Sequence, residues 1–200
     1  MTNRQKQAME TKKLLIRKGR KYLAENGTQA FRIDDFVKEC SVSKGTFYHY
    51  FPSKDEFIFS IMEFPYMELR EEVNARMQED IVDQIRWFAV EHTRFLVEFG
   101  TDFTAHFYAG AFNGTISTSS HVESDYLMEI FTLILGKGVE SGKLRKDTPV
   151  EQLSQIFSAC LRGRSVTWCL SPEKVDPMEL TGQIFREMME PCLSKYVVKV

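Results

Sequence analysis

Residues 43–51 read Ser-Lys-Gly-Thr-Phe-Tyr-His-Tyr-Phe. Lys44, Thr46, Tyr48 and His49 each end in a hydrogen-bond donor, and Lys44 adds a fixed positive charge. Phosphate oxygens and the acceptors on base edges require this set of groups. The order of residues also predicts a helix. Ser43 is a cap whose hydroxyl can accept from an N–H one turn in. Phe47, with Tyr50 or Phe51, supplies an inward face and leaves the donors on the outer one. Gly45 in the first turn costs stability relative to Ala, which suits a backbone that something must approach closely. Pro52 stops the helix. Ser53 caps the next, with Glu56 three residues on as a capping-box partner. Lys54 then falls in a first turn, where the helix dipole disfavours a cation unless an anion is bound nearby.

The segments around this stretch must hold it in place. Residues 5–25 predict an amphipathic helix. Ala8, Leu15, Tyr22 and Leu23 lie on one face, and Lys12, Lys13, Arg17, Lys18, Arg20 and Lys21 crowd the rest. Asn26-Gly27 closes it, Gly being the usual left-handed residue after a helix. Ile33, Phe36, Val37 and Cys40 fall at i, i+3, i+4 and i+7 and predict a second, short helix over 33–40. Asp34 and Asp35 stand in its favourable first turn. Ser41-Val42 is the turn. A basic helix followed by two short helices across a tight turn is a helix-turn-helix. Charge is divided accordingly. Residues 1–54 hold 12 Lys and Arg against 5 Asp and Glu, a net +7, while residues 55–200 hold 14 against 23, a net −9. A basic head on an acidic body fits a protein that meets a polyanion at one end.

Tyr22-Leu23 to Gly27, the run Ile33 to Val37, and the phrase Val42-Ser43-Lys44-Gly45-Thr46-Phe47-Tyr48-His49-Tyr50-Phe51-Pro52-Ser53-Lys54-Asp55 together resemble the DNA-binding domain of TetR/AcrR-type transcriptional regulators. The resemblance covers roughly residues 8–60. It implies an all-α protein, with a three-helix helix-turn-helix domain (1–52) and a larger C-terminal helical bundle for effector binding and dimerisation (53–200). It implies that Ser43, Lys44, Gly45 and Thr46 open a recognition helix and that Tyr48, His49 and Lys54 hold phosphates. Arg32 stands where a Thr or Ser cap is usual and could reach phosphate itself. Ser41 stands where Gly is common. The implied partners are a double-stranded DNA operator, a second copy of the chain and a small-molecule effector, apolar or aromatic in character. No cofactor is implied.

The body is rich in aromatic residues. Trp87, Phe88, Phe95, Phe99, Phe103 and Phe107, with His92 and His106 among them, are the candidate effector-binding residues; the same stripe at helical spacing would also serve as plain core. Gly100-Thr101-Asp102 is expected to break that stretch, with Thr101 as a cap. Pro65 is expected to kink or end the helix that links head to body. Residues 113–120 read as a loop that could gate a pocket. Helices follow over 122–139, from Pro149 to about Trp168, and from Pro177 onward. The last two carry long apolar faces, as a four-helix dimer interface needs.

The four cysteines are scattered without metal-ligand spacing and read as buried thiols in a reducing compartment. The N-terminal residues run into charge without an apolar stretch, and no run approaches about 18 apolar residues, so the expected location is the cytoplasm with no membrane contact. Nucleophile-elbow, zincin, P-loop and dinucleotide-binding signatures are all missing, which argues against an enzyme. A helical ligand-binding or adaptor protein without DNA binding is the alternative; salt-dependent binding to one palindromic duplex separates the two.

Overall fold

The computed structural model describes residues 3–113 and 123–198, and within them the side chains outside 3–4, 62–68 and 123–125. Among the described residues the chain is helical: α1 (Asn3–Ala30), α2 (Ile33–Glu39), α3 (Lys44–Tyr50), α4 (Lys54–Ala75), α5 (Ile81–Asn113), α6 (Glu123–Glu140), α7 (Val150–Leu170), α8 (Pro177–Ile184) and α9 (Glu190–Ser194), the last two joined by a π-helical turn, Phe185–Met189. The all-α expectation holds.

Local chemistry explains most of the helix ends. Ser43 Oγ accepts from the Thr46 N–H at 3.0 Å, and Ser53 Oγ accepts from the Glu56 N–H at 3.0 Å. Asp176 caps α8 by accepting from Met178 N and Glu179 N, with Pro177 in the first turn. Gly27 leaves α1 in a left-handed conformation (φ 75°), so its last residues turn away from the helix axis. Ser41 also has positive φ (56°); a residue with a side chain occupies the strained position where glycine is common.

The head is built on rings. Phe57, from the first turn of α4, lies 5.3 Å from Phe31, 5.1 Å from Phe36, 5.0 Å from Phe47 and 4.9 Å from Phe51, centroid to centroid. All five are essentially sealed from solvent. Burial of each ring stabilises by about 1.5–3 kcal/mol, and the edge-to-face pairs add to that. The core of the helix-turn-helix therefore extends past residue 52 and includes the start of α4. At Gly19 of α1 a Cβ would lie 2.2 Å from Phe57 Cζ, so α1 and α4 approach too closely there for any side chain.

Pro65 lies inside α4 and does not end it. A proline costs one ladder bond, and α4 packs on α1, α5 and α6, which outweighs that loss. Gly100 does interrupt α5, at φ 78°; no side-chain cap by Thr101 accompanies it, and Thr104 Oγ1 instead donates to the Gly100 carbonyl at 2.9 Å. α5 is the spine of the body and touches α1, α4, α6, α7 and α8. Beyond Asn113 the loop expected at 113–120 lies outside the described residues. Cys40 is buried as expected, whereas Cys160, Cys169 and Cys192 are partly exposed; all four are free thiols. No described helix is long and apolar enough to cross a membrane.

Candidate nucleic-acid interface

α2, the Ser41-Val42 turn and α3 present one continuous outer surface. Phe47 points inward and is fully buried, while Ser43, Lys44, Gly45, Tyr48 and His49 are exposed and Thr46 is half-buried. Tyr48 leaves 47% of its surface open despite an edge contact with Phe47 at 5.6 Å. The Thr46 hydroxyl is 2.9 Å from Ser43 Oγ, so the two hydroxyls at the helix start are linked. At Gly45 a Cβ would meet only Ser43 Oγ, at an ordinary 3.6 Å, and its φ is not positive. The protein's own packing thus gives no reason for a glycine there.

Three cations are bound by groups of their own chain. Lys44 forms an ion pair with Asp34 of α2, across the turn. Arg32 begins α2 without a side-chain cap bond and donates from Nη1 to the Gln29 carbonyl at 3.0 Å; it remains exposed. Lys54 turns inward. Its ammonium donates to the Thr28 carbonyl at 2.7 Å and the Phe31 carbonyl at 3.2 Å and lies over the Phe31 ring. Burial lowers its pKa, and the charge of Arg32 acts the same way. The carbonyl oxygens of Thr28 and Phe31, with their partial negative charge, hold this lysine in place of a bound anion. Lys18 likewise donates to the Glu39 carbonyl at the end of α2.

The eight effector candidates of α5 do not gather round one point. Phe88 packs edge-on to Phe131 at 5.0 Å, and His92 is fully buried beside it. Phe95 and Phe99 face α1, with the Arg20 guanidinium 5.4 and 5.8 Å from their centroids. Phe103 stacks on Phe99 at 4.5 Å, and Phe107 on Phe59 of α4 at 5.7 Å. His106 Nε2 meets Asp55 Oδ1 of α4 at 3.1 Å. Trp87 is half-buried under the Arg76 guanidinium. α5 packs against α1, α4, α6, α7 and α8, so one aromatic run is divided among several contacts.

Sequence reading missed Arg164. It is 1% exposed, and its Nη2 donates to His92 Nδ1 at 2.9 Å. Arg has no acceptor, so Nδ1 carries no proton and this imidazole is neutral. The signal was available: Phe157, Leu161, Arg164 and Trp168 follow helical spacing, which places a guanidinium on the apolar face of α7.

Among the described residues, a helical chain with a capped, donor-bearing helix exposed in a helix-turn-helix has the arrangement found in DNA-binding regulators. Residues 15–61 match the family model described as bacterial regulatory proteins, tetR family. Along its length the chain is 23% identical over 188 residues to the fatty acid metabolism regulator protein of Bacillus subtilis, covering 86% of this chain and 91% of that one. It is 39% identical over 57 residues to an HTH-type transcriptional regulator, YuxN, also of Bacillus subtilis, and there the match spans only 20% of the relative's length and 28% of this chain. The structure superposes on a TetR-family regulator of Pectobacterium atrosepticum with a TM-score of 0.69 at 18% identity, covering 100% of this chain and 99% of that one. With FadR of Bacillus subtilis, solved in complex with stearoyl-CoA, the TM-score is 0.63 at 18% identity, covering 90% and 97%. Residues 15–61 thus carry the tetR-family match, and over its length the chain is similar to transcriptional regulators of that family.

Proposed function

We propose that this regulator is a homodimer that binds a palindromic operator, represses from it, and is released by a small molecule. The observation that carries the reading is the exposed face of α3, where Ser43, Lys44, Gly45, Thr46, Tyr48 and His49 stand clear of the body with Phe47 anchored beneath them. Arg32 flanks this face and is proposed to reach phosphate. Lys54 is proposed to act from behind it, by holding the end of α1 against α4. Residues 1–52 form the DNA-binding unit, completed by the first turn of α4, and the remainder binds effector and partner.

A single helix-turn-helix reads few base pairs, so a second copy is needed for affinity. α7 and α8 support this. Ile156, Ala159, Gly163, Thr167 and Leu170 form an exposed stripe along α7, with Leu170 78% open. Leu180, Ile184 and Met188 continue beside it, around a 310 Å³ depression. Small residues flanked by large apolar ones admit close helix packing.

The effector is proposed to be predominantly apolar and to occupy the interior near Phe88 and His92, with Arg164 offering a positive end. Three things support this: the buried Arg164–His92 pair, the full-length likeness to a fatty acid metabolism regulator, and the likeness in fold to FadR, solved with stearoyl-CoA. The test is selection of duplexes from a random-sequence pool, followed by mobility-shift titration at several salt concentrations. An inverted repeat bound with a steep salt dependence is expected. Failure to recover any preferred duplex would leave the adaptor reading in its place.

A further inference from the structure

Two polar contacts tie α1 to α5. Arg20 Nη2 and Nε donate to the Glu98 carboxylate at 2.5 and 3.3 Å. Eight residues later, about 12 Å along a helix, Thr28 donates twice to one oxygen of Asp102: from its backbone N–H at 2.9 Å and from its hydroxyl at 2.6 Å. The Thr28 carbonyl in turn accepts from Lys54 of α4. Every polar group of Thr28 is therefore used, and the residue is buried where α1, α4 and α5 converge. Glu98 and Asp102 stand on opposite sides of Gly100, the left-handed break in α5. The two bonds, one on each side of the break, add to the packing of α1 on α4 and α5 and restrict both its position and its direction.

We infer that Thr28 and Asp102, with Arg20 and Glu98, are positioning residues that fix the angle of the DNA-binding head on α5 and so the separation of the two recognition helices in a dimer. This rests on the proposed operator-binding function. The Phe57-centred core of the head is made of rings that bond to neither Glu98 nor Asp102, so removing one anchor takes no ring from it. Each head would still bind a half-site, but the dimer would lose its preference for one half-site spacing. A dimeric helix-turn-helix protein depends on such a spacing.

The experiment uses the full chain and a duplex recovered by the wild-type protein from a random-sequence pool, beside the same duplex with one base pair inserted at its centre. Wild type is expected to prefer the unaltered duplex. In Thr28→Val, Asp102→Ala and Arg20→Ala that preference should fall by about tenfold, the equivalent of one charge-assisted hydrogen bond. Thr28→Ser keeps both donors and should retain it. A loss of stability alone would lower binding to both duplexes together and leave their ratio unchanged. If Asp102→Ala does not fold, Thr28→Val, which keeps the shape and removes one donor, carries the same test. An unchanged ratio in variants that fold overturns the positioning role while operator binding stands. A wild-type protein that recovers no duplex overturns the functional reading, and this inference falls with it.

Discussion

The Lys44 ammonium is held by the Asp34 carboxylate across the helix-turn-helix turn. The cation at the start of α3 is thus engaged by its own chain. Both side chains are more than half exposed, so the pair contributes little to stability. On the proposed function it competes with phosphate for Lys44. Asp34→Asn is expected to tighten operator binding by about two- to fivefold at low salt, by removing a competitor and a negative charge near the backbone. Unchanged or weaker affinity in a fluorescence-anisotropy titration would contradict this.

Lys44→Ala and Tyr48→Phe should weaken operator binding without altering the melting temperature by more than about 2 °C, since neither side chain reaches the core. Lys44→Ala should also reduce the slope of log affinity against log salt by about 1. If Lys44 touched no phosphate, affinity would fall with the slope intact.

Phe47→Ala tests the support beneath that face. The ring is fully buried against Phe36, Phe51 and Phe57. Its removal should cost about 3–5 kcal/mol in urea unfolding and abolish operator binding, because α3 has only seven residues and cannot persist without packing. Retention of operator affinity would show that α3 is held some other way.

Asp102 gives the head a pH dependence. The Thr28 hydroxyl holds its carboxyl below the ordinary range; burial opposes this, and the Thr28 N–H assists it. A carboxylate whose pKa is depressed by folding adds stability above its unfolded pKa, and that contribution disappears as pH falls through the folded value. The window is therefore below about pH 4. Asp102→Asn should be less stable than wild type at pH 7, and the gap should narrow below pH 4. Chemical denaturation at both ends of that range checks it; a gap that stays constant would exclude the ionised carboxylate as the source.

Gly163 lies exposed in the middle of the α7 stripe, with room for a Cβ in the single chain. Gly163→Glu should leave the fold intact and convert a dimer to a monomer by sedimentation, because a charge in a close-packed apolar interface has no partner. A dimer that survives the change would place the interface elsewhere.

Much of the head was determined by its sequence, because its signals are local. Ser43, Ser53 and Gly27 each act within one turn of the chain, and Ile33, Phe36, Val37 and Cys40 share a face at helical spacing; the structure shows the caps, the left-handed glycine and most of that buried face as the residue types require. Tertiary structure decided what depends on distant partners. Lys54 bonds to carbonyls 26 and 23 residues away, Thr28 to a carboxylate 74 away, and Arg164 to an imidazole 72 away. It also carried α4 through Pro65 and divided the aromatic run of α5 among four neighbouring helices. Caps and helix periods are properties of a few consecutive residues, whereas the partner of a buried charge is set by which helices the whole chain brings together.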